Sequence, residues 1–183
     1  MIPFRRLHRK LAPIVVLPLA ISAVTGILFR VGQSWMGLPP AAAGTLLSVH
    51  QGAYLGDALN GIYVLLLGLG LLGMIVTGIT LLRRRSPSSR TNLLNPRILH
   101  RRLTPILFIP LIVSALTGIL YRLGRDWWGL SYQQIGFLIQ IHQGSYLGPI
   151  FQVVYVLLLG IGLLLIAITG INMVGMFRSR RSP

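Results

Sequence analysis

Four stretches of almost unbroken apolar residues, at 11–29, 58–82, 103–121 and 150–177, each reach about the 20 residues that a helix needs to cross the hydrocarbon core of a bilayer. Each is followed at once by an arginine, where a crossing helix would meet water. The pattern predicts an all-α membrane protein with four transmembrane helices. Between the first two crossings, Leu46, Leu47, Val49 and His50 follow the i, i+3, i+4 spacing of a short amphipathic helix lying in the interface. Leu138, Ile139, Ile141 and His142 do the same between the last two. Each histidine falls on the apolar side. Gly52 and Gly56, and then Gly144, Gly148 and Pro149, break these segments before the next crossing, with Pro149 suited to a first helical turn.

The chain is written twice. Residues 5–82 align with 97–174 without a gap, and roughly half of the paired positions are identical. This divides the protein into a first repeat at 1–85, a polar, serine-rich cytoplasmic linker at 86–96, and a second repeat at 97–183. Each repeat reads as an αα-hairpin: a basic start, a crossing helix, a loop carrying Trp-x-Gly-Leu, an interfacial segment ending in His-Gln-Gly, and a second crossing. With an even number of crossings, both repeats insert in the same orientation. Their pseudo-twofold axis then runs along the membrane normal.

Composition agrees with the pattern, because 54% of the residues are hydrophobic and only 10% are charged. The net charge of +15 would suit a nucleic-acid partner, but the basic residues sit in short clusters at the ends of apolar runs, as topology signals do. Arg5, Arg6, Arg9, Lys10, Arg83, Arg84, Arg85, Arg90, Arg97, Arg101, Arg102, Arg178, Arg180 and Arg181 share one side. Arg30, Arg122 and Arg125 share the other with both acids, Asp57 and Asp126. Both termini are thus expected in the cytoplasm, in a bacterial inner membrane or a thylakoid membrane. The basic start and the small residues near Ala20 and Ala23 also resemble a signal peptide. The same segment recurs at 103–121, which favours a retained helix.

Cysteine is absent, which excludes disulfides, thiolate-held iron–sulfur clusters and covalent haem attachment, and leaves histidine as the main ligand type. All four histidines fall on the repeat register: His8 with His100 inside Leu-His-Arg, and His50 with His142 inside His-Gln-Gly. His8 and Arg30 lie at opposite ends of one helix, about 33 Å apart at 1.5 Å per residue, so His8 and His50 cannot share a metal. The symmetric pairs remain, one near each face. Two imidazoles related by a twofold axis present one nitrogen to each face of a planar macrocycle, as a six-coordinate b-type haem requires.

His8, His50, His100 and His142 are therefore the candidate metal ligands of two bis-histidine haems b. Arg30 and Arg122 are the candidate partners of propionates on the outer one. The membrane interior holds no acidic residue, so a proton relay or ion-coupled transporter lacks its parts, and no nucleophile–base constellation or phosphate-binding loop stands out. Two other classes stay open. One is a pigment-binding accessory subunit that holds chlorophyll through the same histidines in a photosynthetic or respiratory complex. The other is a cofactor-free structural protein.

Several further residues have simpler readings. Gly68, Gly70 and Gly78 with Gly160, Gly162 and Gly170 suit close helix packing, as do Thr25-Gly26 and Thr117-Gly118. Gly52 and Gly144 either end their helices or let a porphyrin edge approach the backbone. Pro13, Pro18, Pro105 and Pro110 predict kinks, and Trp35, Trp127 and Trp128 an outer aromatic belt.

Leu7-His8-Arg9 with Thr25-Gly26, and Val49-His50-Gln51-Gly52 with Thr77-Gly78, recur as Leu99-His100-Arg101 with Thr117-Gly118, and Ile141-His142-Gln143-Gly144 with Thr169-Gly170. In the order of these motifs the chain resembles the PepSY-associated transmembrane helix family. That resemblance implies membrane-histidine haem ligands at His8, His50, His100 and His142, and electron transfer across the bilayer by a ferric-siderophore-reductase-like protein working with redox partners. The family's extracytoplasmic PepSY domains have no counterpart here. Loops around 33–45 and 125–137 stand in their place.

Overall fold

A computed structural model describes residues 4–82 and 95–174, and among them it contains six α-helices and no strand. These are α1 (Phe4–Trp35), α2 (Pro40–Gln51), α3 (Asp57–Leu82), α4 (Pro96–Asp126), α5 (Tyr132–Gln143) and α6 (Pro149–Val174). Helices α1, α3, α4 and α6 are the four long enough and apolar enough to cross a membrane, so the protein is a multi-pass membrane protein. Most of the linker lies outside the described residues, as do Arg83, Arg84, Arg85, Arg90, Arg178, Arg180 and Arg181.

The crossing helices run beyond the apolar stretches. At 32 residues, α1 is about 48 Å long, against a hydrocarbon core of about 30 Å. Nothing among its leading basic residues breaks a helix. In the second repeat, Asn95 caps α4 by accepting a 3.0 Å hydrogen bond from the Arg97 amide, with Pro96 at the first turn. The interior prolines Pro13, Pro18, Pro105 and Pro110 are carried without ending α1 or α4.

The outer connections are shorter than the sequence suggests, because helix fills most of 33–45 and 125–137. The Trp-x-Gly-Leu motif is the reason. Gly37 and Gly129 adopt left-handed backbone (φ +59° and +61°), and the chain doubles back so that the Leu38 and Leu130 amides donate to the Gly32 and Gly124 carbonyls at 2.9 Å. Leu38 then packs directly over Gly32. The motif is a helix stop with its own hydrophobic contact.

Helix α1 packs against α3 and α6, and so does α4, whereas no close backbone approach joins α1 to α4 or α3 to α6. The four form a ring with α1 and α4 on one diagonal. Helices α2 and α5 lie against α1 and α4 respectively. Glycines set the close approaches: Gly68 of α3 faces Ile119 of α4, and Gly160 of α6 faces Ile27 of α1, so both contacts join the repeats. Gly70 against Val15 and Gly162 against Leu107 do the same within each repeat.

At mid-bundle, Val15, Leu19, Leu71, Ile75, Leu111 and Ala115 form the buried core. Outward, Ile14, Ile106 and Ile109 are more than 70% exposed, an apolar belt that only a bilayer would cover. A methyl group added at Gly160 would come within 2.6 Å of Ile27, an overpacking that typically costs about 1–3 kcal/mol. Gly160→Ala is expected to lower the melting temperature in detergent, and adding Ile27→Ala should recover part of the loss.

Candidate functional site

His50 is the penultimate residue of α2, and its position is fixed by the residue that ends that helix. Gly52 takes the left-handed conformation (φ +74°), and its amide donates back to the Ser48 and Val49 carbonyls. Gly144 (φ +68°) ends α5 in the same way beyond His142. These glycines do not open the backbone to a ligand, because a side chain at either would run into Tyr63 or Tyr155. Their role is to stop the helix.

Each outer histidine is then seated on the first crossing helix of its own repeat. The His50 Nδ1 donates to the Ser22 carbonyl at 2.8 Å, and the His142 Nδ1 donates to the Ser114 carbonyl at 2.8 Å. The Ser22 hydroxyl donates to the His50 carbonyl at 3.2 Å. Gly26 and Gly118 leave the space: a β-carbon at either would lie 3.0 Å from the imidazole Cε1 above it. The Thr-Gly pairs in α1 and α4 therefore provide ring seats and do not join helices. The sequence carried that signal in Ser22 and Gly26, small residues one turn apart, repeated at Ser114 and Gly118.

The ring centres of His50 and His142 are 6.3 Å apart, with their planes at 67°. With Nδ1 protonated and bonded, each ring keeps its lone pair on Nε2, the nitrogen available to a metal. A metal held between two such nitrogens, with bonds of about 2 Å, would separate the ring centres by about 6 Å. No group of three or more His, Cys, Asp or Glu that could hold a metal ion occurs among the described residues. A metal here would need equatorial ligands of its own, which a tetrapyrrole supplies. Two stacked macrocycles, about 3.5 Å apart and each bound by one histidine, would require ring centres about 10 Å apart.

The same two histidines line a cavity of about 260 Å³ between α1 and α4, floored by Leu19, Leu71, Leu111 and Leu163. At ~10–15 Å³ of such volume per water, this exceeds what a lone ion needs. Arg30, Arg122, Gln51 and Gln143 also line it. Arg122 forms a 2.7 Å ion pair with Asp126. Asn60, only 1% exposed, accepts from Arg122 and donates to the Gln51 backbone carbonyl once its amide is oriented to suit both. Arg30 instead donates to the Gln143 side chain. Each guanidinium thus bonds to the opposite repeat.

The inner pair follows the same plan. The His8 Nδ1 donates to Thr77 Oγ1 at 2.7 Å, and the Thr77 hydroxyl donates to the Gly73 carbonyl at 2.7 Å. The His100 Nδ1 faces Thr169 Oγ1 at 3.0 Å and the Ile166 carbonyl at 3.1 Å. Gly78 and Gly170 lie beside these rings, which gives them the seating role that Gly26 and Gly118 have outside. His8 and Ser22 are about 21 Å apart along α1 at 1.5 Å per residue, so the two sites are separated by the apolar core.

No protein-family model, no curated protein and no solved structure matches this chain.

Burial drives the His142 imidazole down to about 4, with the neighbouring His50 adding to the shift and the Ser114 carbonyl opposing it. Burial lowers His50 as well, against the Ser22 carbonyl. Both rings are therefore neutral at pH 7. Because the unfolded chain takes up the His142 proton near 6.5 and the folded chain only near 4, stability is fully present above about pH 6.5 and falls as the pH drops towards 4. Thermal melts of cofactor-free protein should show that slope, and ¹⁵N spectra at pH 7 should show protonated Nδ1 and bare Nε2 at His50 and His142.

Proposed function

We propose that this chain is a minimal b-type membrane cytochrome that binds two haems, one between His50 and His142 and one between His8 and His100. It would carry electrons between a donor on the cytoplasmic side and an acceptor, ferric or otherwise, on the outer side of a bacterial inner membrane or a thylakoid membrane. The observation that carries this reading is the pairing of the outer imidazoles, 6.3 Å between centres with both Nδ1 atoms held by backbone carbonyls. That spacing suits one six-coordinate metal. It is too short for two separate pigments with one histidine each. The motif order shared with the PepSY-associated family supports the same assignment, and the arginine-rich ends at Arg5, Arg6, Arg9 and Lys10 support cytoplasmic termini.

Haem iron, when bound, would supply a one-electron couple. The chain supplies the positioning. Ser22 and Ser114 hold the outer rings in one tautomer through their carbonyls, and Thr77 and Thr169 hold the inner rings through hydroxyls that themselves donate to α3 and α6. Gly26, Gly118, Gly78 and Gly170 let the rings lie close to the helices. The leucine floor keeps the outer cavity apolar.

A pyridine haemochrome assay on protein purified from its native membrane should give two haems b per chain, with reduced-minus-oxidised bands in the visible. His50→Ala with His142→Ala should remove one, and His8→Ala with His100→Ala the other. Absence of haem would refute the assignment, and extractable chlorophyll in its place would move the protein to the pigment-binding class.

A further inference from the structure

The repeats are alike at the histidines and differ where the outer cavity carries charge. Arg122 is neutralised: Asp126 pairs with it at 2.7 Å, and buried Asn60 accepts a further bond from it. Room for this exists because residue 61 is glycine, and a β-carbon there would meet Asp126 Oδ2 and Trp127 Nε1, each at 3.2 Å. At the corresponding positions around Arg30, the aspartate is replaced by Ser34, the asparagine by Gln152 and the glycine by Val153, whose side chain is fully buried. Three coordinated differences thus build a carboxylate partner for Arg122 and none for Arg30. The remaining acid, Asp57, forms no ion pair with Arg30.

Arg30 therefore keeps its full charge beside the cavity, and its bond to Gln143 uses that side chain's carbonyl oxygen, leaving the amide nitrogen as a second donor. A guanidinium next to an amide donor, without a competing carboxylate, suits an incoming carboxylate. At Arg122 an incoming carboxylate would meet Asp126 and its like charge.

We propose that Arg30, together with Gln143, is the carboxylate-binding subsite of the outer cavity, and that Arg122 is a structural residue tying the second repeat to Asn60 of the first. The proposal rests on the haem reading of this cavity and deepens it. One propionate is anchored through a charge-assisted pair at Arg30, while the other faces a side already neutral. This departs from the symmetric roles that the sequence suggests for the two arginines.

The test uses the full chain, prepared without haem and carrying His8→Ala and His100→Ala so that only the outer site reports. Iron protoporphyrin IX and its dimethyl ester, which lacks the free carboxylates, are titrated by absorbance. The free acid should bind more tightly than the ester by roughly ten- to a hundredfold, the strength of one charge-assisted hydrogen-bonded contact. Arg30→Gln should abolish that preference, and ester binding with a bis-histidine spectrum shows that the variant is folded. Arg122→Gln should retain the preference, and Asp126→Asn, which frees Arg122, should enlarge it. A preference that survives Arg30→Gln, or is lost equally in Arg122→Gln, overturns the assignment while the haem reading stands. Failure of both porphyrins to bind the unsubstituted arginine background overturns both.

Discussion

Every histidine in this protein donates its Nδ1 proton to an oxygen fixed on a helix of its own repeat, and the rest of the architecture is arranged around that bond. A free imidazole has two tautomers and rotates about two torsions. Here the carbonyl or hydroxyl selects one tautomer, the adjacent glycine admits the ring, and helix ends such as Gly52 and Gly144 set where the chain delivers it. What remains is a lone pair at Nε2 on each ring. The outer two rings carry theirs along the wall of the cavity.

The bundle leaves the cavity open beside these rings by keeping α1 and α4 apart. These two helices carry the outer ring seats, and they lie on a diagonal while all close contacts run around the ring through Gly68, Gly70, Gly160 and Gly162. Glycine thus serves two opposed purposes within one fold. In α3 and α6, Gly68, Gly70, Gly160 and Gly162 draw helices together, whereas in α1 and α4 Gly26 and Gly118 make room for a side chain arriving from α2 or α5.

Much of this was legible in the sequence. Hydropathy gave the four crossings, the repeat gave the pairing of His50 with His142, and the i, i+3, i+4 spacing of Leu46, Val49 and His50 gave the short helices between crossings. What escaped it depends on contacts between distant segments. Only a small residue one turn earlier, Ser22 against Val64, separates Gly26, which seats a ring, from Gly68, which meets a helix. The Trp-x-Gly-Leu motif looked like loop because its glycine and leucine act only once the chain has folded back on Gly32. The arginines looked equivalent because their positions match. Their difference lies at Asp126, Asn60 and Gly61, residues that come together only in three dimensions.

Each repeat contributes one histidine to the outer pair and one to the inner pair, and orients both with its own oxygens. A lone hairpin would therefore be two half-sites with nothing to complete them, whereas two identical hairpins meeting about a twofold axis would complete both at once. Joining two such hairpins in one polypeptide keeps the histidine pairs while releasing every other position from the requirement to serve both sides equally. The charge difference at the outer rim, with Asp126 opposite Ser34, is the kind of change that a dimer encoded once could never acquire.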